Sequence, residues 1–177
     1  MENLPNGLRR LNFLQPKEAE PEFLKCCGST KWAQQMSQSL PFRHENELLS
    51  TAAKVWWGLD SEDWLEAFRS HPKIGERKPA AETSATSLSW SSKEQAGVSD
   101  ASSDTKELLA ELNQRYEEKF GFIYIVCATG KTSEQLLTIL KQRLANDSET
   151  ELQNAASEQA KITELRLQKL LASLEQA

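Results

Sequence analysis

The sequence predicts an all-α fold, organised as a single-domain bundle of about seven or eight helices. Three observations lead to this prediction. Apolar residues recur three and four positions apart over most of the 177 residues, which is the spacing of helices that bury one face. Several of these stretches begin with a capping sequence and end near glycine or proline. The one strand-like segment, Phe122 to Ala128, has no second strand to pair with.

The first half of the chain contains four predicted helices. The stretch EPEFLKCCGSTKWAQQM predicts a short helix, a stop near Gly28, and a second helix capped by Ser29 or Thr30. The stretch DSEDWLEAFRSHP begins with an acidic cap, and Pro72 limits its helix at the preceding residue. Between them, HENELLSTAAKVWWGL carries an apolar stripe formed by Leu48, Leu49, Ala52, Ala53, Trp56 and Trp57.

Residues 78–104 differ in composition from the rest of the chain. Ser, Thr, Ala and Pro dominate and apolar residues are scarce, which predicts an ordered loop or a flexible crossover. A short helix is expected around SSKEQAG. There, Ser91-x-x-Glu94 and Ser92-x-x-Gln95 are capping boxes in adjacent registers.

The second half of the chain adds three longer predicted elements. TKELLAELNQRYEEKFG predicts a helix with its leucines and Tyr116 in register. TSEQLLTILKQRLAN and the long stretch from Ser148 begin with the boxes Thr132-x-x-Gln135 and Ser148-x-x-Glu151. The apolar segment FIYIVCA is expected to be a buried helix or an extended turn rather than a strand.

Composition excludes several classes of function. A net charge of -5 argues against binding to nucleic acid or to an anionic membrane, and no apolar run is long enough for a membrane span. Cys26, Cys27 and Cys127 match neither a disulfide framework nor a zinc spacing, which indicates a reducing compartment. The N-terminus lacks an apolar signal core, so we expect a cytoplasmic protein. No Ser-Lys-Leu tripeptide ends the chain, although the peroxisome stays open as an alternative.

The domain organisation is expected to be simple. Residues 1–20 form an N-terminal extension that is a candidate for a flexible segment, and residues 21–175 form the functional domain.

His71 is the first candidate for chemistry, because the chain contains only two histidines and this one precedes a proline. A histidine at the C-terminal end of a helix can simply complement the helix dipole. The alternative is a general acid or base, since the ordinary pKa of histidine lies near neutrality. Pro72 favours the second interpretation because it disfavours helix at His71 and places the ring at a stiff corner.

Three further features have both a structural and a functional interpretation. Ser91, Glu94 and Gln95 either cap a helix or supply a hydroxyl, a carboxylate and an amide to one polar ligand. Arg166 is either a surface arginine that covers apolar neighbours or a guanidinium that binds a carboxylate. The segment from Gly121 to Lys131 is either core or, where Ala128 to Gly130 end it, a source of backbone groups for a ligand. Cys127 within it is a poor nucleophile, because apolar surroundings raise the pKa of a thiol.

Several familiar motifs do not occur in the sequence. It has no P-loop, no dinucleotide glycine fingerprint and no cluster of histidines and cysteines, so an enzyme built on it is expected to need neither a metal nor an organic cofactor. The residues alone therefore indicate a helical domain with a conspicuous His-Pro corner.

Four segments, taken together and in this order, resemble the OHCU decarboxylase family. They are DWLEAFRSHPKIGE, SSKEQAG, LLAELNQRYEEKFGFIYIVCATGKTSEQLLTILKQRL and ETELQNAASEQAKITELRLQKL. The resemblance extends from about Glu22 to Leu171 and is closest in appearance to the decarboxylase domain of plant allantoin synthase. There the domain is fused to a transthyretin-like HIU hydrolase, which a chain of 177 residues is too short to include.

The resemblance implies an all-α homodimer that acts without a cofactor. Its substrate would be 2-oxo-4-hydroxy-4-carboxy-5-ureidoimidazoline (OHCU), a small molecule of urate degradation, and its product (S)-allantoin. Functional coupling to an HIU hydrolase is a further expectation.

The resemblance also assigns roles to individual residues. His71 and Glu94 would be catalytic, and Pro72 would shape the pocket. Ser91, Glu94 and Gln95 would contact the ureido group and the polar atoms of the ring. Backbone groups of a short segment would bind the imidazolone edge, namely those of Ile125, Val126, Cys127, Ala128 and Thr129.

An arginine is expected to complete the site. Arg166 would bind the carboxylate or a ring oxygen of the substrate, and Arg143 is the competing candidate. Two alternatives to the whole assignment stay open. The first is a non-enzymatic all-α interaction domain that docks a partner near Trp56 and Trp57. The second is a decarboxylase of a related ureido heterocycle.

Overall fold

The computed structural model describes residues 5–76, 82–99 and 101–176, and these contain ten helices and no β-strand. The all-α prediction is confirmed, with more helices than expected. The helices are α1 (Asn6–Phe13), α2 (Pro16–Cys26), α3 (Thr30–Gln38), α4 (Glu45–Trp57), α5 (Ser61–Arg69), α6 (Ala85–Glu94), α7 (Ala96–Ser99), α8 (Ser103–Phe120), α9 (Ser133–Arg143) and α10 (Ser148–Gln176). No described helix is long and apolar enough to cross a membrane.

The chain divides into two compact units. The first comprises Met1–Ala67 with Ala160–Ala177, and the second comprises Phe68–Gln159. Helices α1 to α4 belong to the first unit and α6 to α9 to the second, whereas α5 and α10 contribute residues to both.

Buried tryptophans organise the first unit. The Trp32 ring is fully buried and packs edge-on against the Phe23 ring, with 5.9 Å between the ring centroids. Its indole N–H donates to the carbonyl of Ala52 at 3.1 Å. The Trp64 indole donates in the same way to the carbonyl of Trp56 at 2.9 Å. A buried indole N–H needs an acceptor, so these bonds let large rings enter the core without an unpaired donor.

The apolar stripe of α4 is narrower than predicted. Leu48, Ala52 and Trp56 are buried at successive i+4 positions, as the spacing required. Trp57 is 44% exposed, although its ring contacts Trp64 edge-on at 5.7 Å. The predicted stripe paired each buried residue with the next residue along the chain. Those second residues, Leu49, Ala53 and Trp57, are turned further around the helix and are not buried.

Residues 6–13 and 16–20 of the predicted extension are helical in the structure. Leu8, Leu11 and Ala19 are fully buried, and α2 runs through the expected domain boundary. Its start at Pro16 follows a capping box formed by Gln15 and Glu18. The division between residues 20 and 21 itself stays a prediction.

Aromatic packing around Tyr116 organises the second unit. The centroid of the Tyr116 ring lies 5.5 Å from that of Tyr124 and 5.8 Å from that of Phe122. The ring centroids of Phe122 and Phe68 are 5.5 Å apart. Close backbone contact also occurs in this unit. A Cβ on Gly97 would lie 2.3 Å from the carbonyl oxygen of Lys131, so only glycine allows α7 to approach the turn before α9.

Helix α6 is the main departure from the predicted elements. It starts at Ala85, inside the stretch expected to be a loop or crossover, and Ser84 caps it by accepting the N–H of Ser87 at 3.1 Å. Residues 91–95 therefore lie at its C-terminal end, and the predicted capping boxes at Ser91 and Ser92 are wrong. Residues 77–81 lie outside the described ranges.

Other capping predictions had mixed outcomes. Ser29 caps α3, and Thr132 with Gln135 forms the predicted box on α9. The predicted box at Ser148 is wrong, because the Glu151 carboxylate is fully buried and bonds to Arg143 and Tyr116 instead. Asp147 serves the first turn of α10 by accepting the N–H of Thr150 at 2.9 Å.

The segment from Phe122 to Ala128 is neither helix nor strand. All seven of its residues are buried in an irregular conformation, so of the two expectations the helix is wrong. Buried irregular backbone must find hydrogen-bond partners outside regular structure, and here side chains supply them.

Candidate active site

The site begins at the corner after α5. The helix ends at Arg69, the His71 N–H donates to the Phe68 carbonyl at 3.1 Å, and Pro72 follows. The sequence prediction of a helix end before Pro72 is confirmed. The His71 side chain is 7% exposed, so this histidine is a buried group at a corner rather than a solvated helix end.

Hydrogen bonds from two helices fix the residues after Pro72. Gly75 has φ +90, a conformation that favours glycine, and its N–H donates to the Gln95 amide oxygen at 3.0 Å. The Asn113 amide donates to the Ile74 carbonyl at 3.3 Å and to the Leu109 carbonyl at 2.9 Å. Lys73 pairs with Glu117 at 2.6 Å. These bonds make the corner a defined wall of the site.

A cavity of about 830 Å³ lies against this corner. It brings together three residues predicted for the site, Pro72, Ser91 and Gln95. The volume is within the range of small-molecule pockets, and the lining combines apolar groups with convergent polar ones. Other lining residues include Ile74, Leu88, Val98, Leu109 and Asn113.

Of the predicted polar residues at the C-terminal end of α6, Ser91 and Gln95 line the cavity. Ser91 is buried, Glu94 is half-buried, and Gln95 is the residue that ends the helix. The expectation that a helix N-terminus would present backbone N–H groups to an anion here is therefore wrong. The side chains, and not a helix terminus, supply the polar character.

Gln159 is a site residue that sequence reasoning missed. Its amide oxygen lies 2.8 Å from Nε2 of His71, and its side chain is fully buried on α10. A signal for it does exist in the sequence. Gln159 lies four residues after Ala155 on a stripe of α10 that is otherwise mostly apolar, and a polar residue on a buried stripe needs a partner.

The segment expected to bind substrate through its backbone already has several of its groups bonded. Arg143 donates to the Ile125 carbonyl at 2.5 Å, and the Cys127 N–H donates to the Glu158 carboxylate at 2.8 Å. Lys131 donates to the carbonyl of Cys127 at 2.6 Å through its side chain and to that of Ala128 at 3.0 Å through its backbone. These bonds hold the segment in place and leave fewer backbone groups for a ligand.

Arg143 has a structural role in this arrangement. Arg143 is 7% exposed, and its guanidinium donates to Glu151 at 2.5 Å and to the Tyr116 hydroxyl at 3.2 Å, besides the Ile125 carbonyl. The Tyr116 hydroxyl donates to Glu151 as well, and burial raises the pKa of Tyr116 far above its ordinary value. All three nitrogens of Arg143 thus bond to protein, and the choice between Arg143 and Arg166 for a substrate contact stays a prediction.

Arg166 belongs to the first unit and is 3% exposed. Two buried cysteines of that unit, Cys26 and Cys27, lie within its electrostatic influence. Burial raises the pKa of Cys27 to about 12, and the positive charge of Arg166 only partly opposes this effect. Arg166 is therefore not the surface arginine that the structural interpretation of the sequence expected.

Neither a thiol nucleophile nor a metal cluster emerges from the described residues. All three cysteines are free and buried, and burial raises the pKa of Cys127 as predicted. No group of three or more metal-ligating side chains occurs in the part of the chain that the structure describes.

The family model for OHCU decarboxylase matches residues 12–168. The chain belongs to the OHCU decarboxylase family. A crystal structure of an OHCU decarboxylase in the presence of (S)-allantoin is 41% identical, with a TM-score of 0.73, and the match covers 86% of this chain and 98% of that one. A crystal structure of (S)-allantoin synthase is 16% identical with a TM-score of 0.68, which shows the shared fold alone.

Relatives of this OHCU decarboxylase family member occur in plants and archaea. The uric acid degradation bifunctional protein TTL of Arabidopsis thaliana is 41% identical over 86% of this chain but only 47% of its own length. The 2-oxo-4-hydroxy-4-carboxy-5-ureidoimidazoline decarboxylase of Haloferax volcanii is 26% identical over 94% of this chain and 96% of its own. The chain thus spans about half of the plant relative and nearly all of the archaeal one.

Proposed function

We propose that this chain decarboxylates OHCU to (S)-allantoin with stereospecific protonation and without a cofactor. The observation that carries the proposal is the 41% identity to an OHCU decarboxylase crystallised with (S)-allantoin, over 98% of that chain. The cavity beside the His-Pro corner supports it, because it is large enough for such a ligand and is lined by residues that the resemblance assigns to substrate binding.

The chemistry needs no external electron sink. When the bond between C4 and the carboxylate breaks, its electron pair forms a C4=C5 bond, and the electrons of the adjacent C=N move to nitrogen, which takes a proton. The hydroxyl on C4 then loses its proton to become the carbonyl, and C5 takes a proton on one face. One proton from solution balances the loss of CO2 from the carboxylate. The protein therefore supplies orientation and proton transfer rather than a cofactor.

The proposed roles follow from the functional groups. His71, with Glu94, moves the hydroxyl proton and delivers a proton to C5. The Gln95 amide oxygen already accepts the Gly75 N–H, so its amide nitrogen is the group that would donate to a substrate carbonyl. Arg166 would bind the carboxylate or a ring oxygen, as a guanidinium binds such groups through two parallel bonds.

The decisive test follows stereochemistry rather than product yield. OHCU is generated in the cuvette from urate and turns into racemic allantoin without any enzyme. The circular dichroism signal of (S)-allantoin is therefore recorded with and without the protein. A rise that scales with protein concentration is expected, and racemic product at every concentration would contradict the proposal.

We extend the proposal to partners and location. The chain would act as a homodimer in the cytoplasm, functionally coupled to an HIU hydrolase that precedes it in the route from urate. The word "bifunctional" in the name of the Arabidopsis relative supports such a coupling. Light scattering on a sizing column tests the dimer. A fluorescent fusion tests the location, with the peroxisome as the contrary outcome, and added HIU hydrolase tests the coupling by its effect on (S)-allantoin excess.

A further inference from the structure

A buried hydrogen bond connects the proposed acid-base group to the long C-terminal helix. Nε2 of His71 lies 2.8 Å from the side-chain oxygen of Gln159, 88 positions away in the sequence. Gln159 is fully buried and His71 is 7% exposed, and both belong to the unit Phe68–Gln159. The bond is thus shielded from water. In the protein interior a hydrogen bond is stronger than in water, and an unpaired polar group is costly.

The chemistry of the two groups determines which one donates. An amide oxygen can only accept a hydrogen bond, so the proton between the two groups belongs to Nε2 of the imidazole. The neutral ring is then the tautomer that carries hydrogen on Nε2. In the cationic ring both nitrogens carry hydrogen, and the same bond to Gln159 persists. The proton that distinguishes the two charge states is therefore the one on Nδ1.

We propose that Gln159 is a positioning residue that keeps Nε2 of His71 protonated, so that Nδ1 is the nitrogen that exchanges a proton with the substrate. The proposal rests on the proposed function, since it assigns an atom to the acid-base role of His71. It adds Gln159 to the site and specifies which imidazole nitrogen of His71 exchanges the proton.

The neutrality of Gln159 matters as much as its position. A carboxylate in its place would stabilise the imidazolium strongly and would oppose the return of the proton. An amide orients the ring in both charge states and adds no net charge. His71 can therefore accept a proton from the substrate hydroxyl and release one to carbon within one turnover, as a general acid and base must.

The experiment uses the fact that the chain has only two histidines. Protein labelled with ¹⁵N in its histidines gives two imidazole patterns, and long-range ¹H–¹⁵N spectra distinguish protonated from unprotonated ring nitrogens. His44 is exposed and accepts the Glu47 N–H through Nδ1 at 3.1 Å, so it provides an internal reference. The variant His44→Asn assigns the signals, because asparagine also serves as an N-cap.

Above the pKa of His71, the wild-type ring should be uniformly the Nε2–H tautomer. A neutral ring with its hydrogen on Nδ1 would overturn the proposal without any activity measurement. Gln159→Leu should shift His71 toward the Nδ1–H tautomer or a mixture, because it removes the acceptor. The rate of (S)-allantoin formation should fall about 10-fold, because leaving a buried donor without its acceptor carries a free-energy cost of that order.

Two further variants separate positioning from packing. Gln159→Glu retains an acceptor and should retain the Nε2–H tautomer, whereas Gln153→Leu removes an exposed glutamine from the same helix and should change neither spectrum nor rate. If Gln159→Leu alters the tautomer but leaves the rate unchanged, or lowers the rate without altering the tautomer, the proposal is wrong. If Gln159→Leu does not fold, the wild-type and Gln159→Glu spectra decide.

The proposed function can fail separately. Wild-type protein that yields only racemic allantoin contradicts the decarboxylase assignment, and the tautomer measured in the same sample then stands as a structural result alone.

Discussion

Two buried polar clusters in the unit Phe68–Gln159 use hydrogen bonds in opposite ways. In one, Arg143 and Glu151 form a charged pair that also bonds to the Tyr116 hydroxyl, and Arg143 donates to the carbonyl of Ile125. In the other, His71 bonds to the neutral amide of Gln159. The charged cluster gains stability only while every partner stays in place, so it suits the support of a backbone segment. The neutral pair orients a ring that changes its charge in the proposed reaction, so it suits the proposed acid-base role.

The largest expected effect is on activity at the neutral pair. His71→Asn removes the acid-base group but preserves size and polarity, and we expect the rate of (S)-allantoin formation to fall about 10²- to 10⁴-fold. The variant should still fold, with a free energy of unfolding lowered by about 1–3 kcal/mol because the Gln159 amide loses its buried partner. The matched control is His44→Asn, which replaces the other histidine at a helix cap and should leave the rate unchanged. Near-normal stereospecific turnover by His71→Asn would contradict the catalytic assignment.

The charged cluster should respond in stability. Arg143→Met leaves the Glu151 carboxylate buried without its cation, and we expect the free energy of unfolding to drop by about 3–5 kcal/mol. Urea denaturation measures the drop. Arg115→Met is the control, because Arg115 is 63% exposed and its loss should change stability by less than about 0.5 kcal/mol.

The same cluster can be removed as a whole. In Arg143→Met/Glu151→Leu both charges are gone, so we expect most of the lost stability to return. If the double variant is instead as unstable as the sum of the two single variants, the two side chains do not act as a pair.

A smaller effect is expected from the hydroxyl that joins the cluster. Tyr116→Phe preserves the aromatic packing and removes one bond to Glu151 and one to Arg143. We expect a loss of about 1–3 kcal/mol in the free energy of unfolding. Tyr124→Phe removes a hydroxyl that donates to the neutral Leu136 carbonyl at 3.2 Å, and it should be milder. Equal effects of the two variants would show that the charged partners add nothing.

The smallest effect is expected at an exposed pair in the first unit. Hydrogen bonds from the side chain and backbone of Arg43 lower the pKa of Glu47 from 4.5 to about 2. A carboxyl with a depressed folded pKa adds stability above its unfolded pKa, near 4.5, and loses it as pH falls through about 2. Glu47→Gln should therefore lower the melting temperature slightly at pH 7 and much less near pH 2, where the Glu47 carboxyl is about half protonated.

Salt and the partner residue provide the controls for that pair. The difference at pH 7 should shrink in 1 M salt, because exposed charges are screened. Arg43→Gln should reproduce the effect of Glu47→Gln. An effect as large as that of Arg143→Met would contradict the distinction between exposed and buried pairs.

Local signals were sufficient for most of the elements. The caps at Ser29 and Thr132 and the helix end before Pro72 were predicted correctly, because each depends on residues within one turn. The same local rule failed at Ser91, where Ser-x-x-Glu matches a capping box although the helix has already run for six residues. The pattern does not specify where along a helix it lies.

Long-range contacts determined what the local signals could not. The segment from Phe122 to Ala128 reads as apolar, but its conformation depends on Arg143, Glu158 and Lys131, which lie between 4 and 31 residues away from their partners in it. The role of Arg143 was equally hidden. Its sequence neighbours resemble those of Arg166, and only the tertiary contacts show that it bonds to Glu151 and to the Ile125 carbonyl.

By itself, the sequence determined the helical class, the membership of a decarboxylase family and the position of a histidine at a stiff corner. Periodicity, caps and motifs are properties of neighbouring residues, so they can be read without a fold. The tertiary structure decided which polar groups meet in the interior, above all His71 with Gln159. Burial raises the free energy of an unpaired polar group, and that pairing depends on segments far apart in the chain.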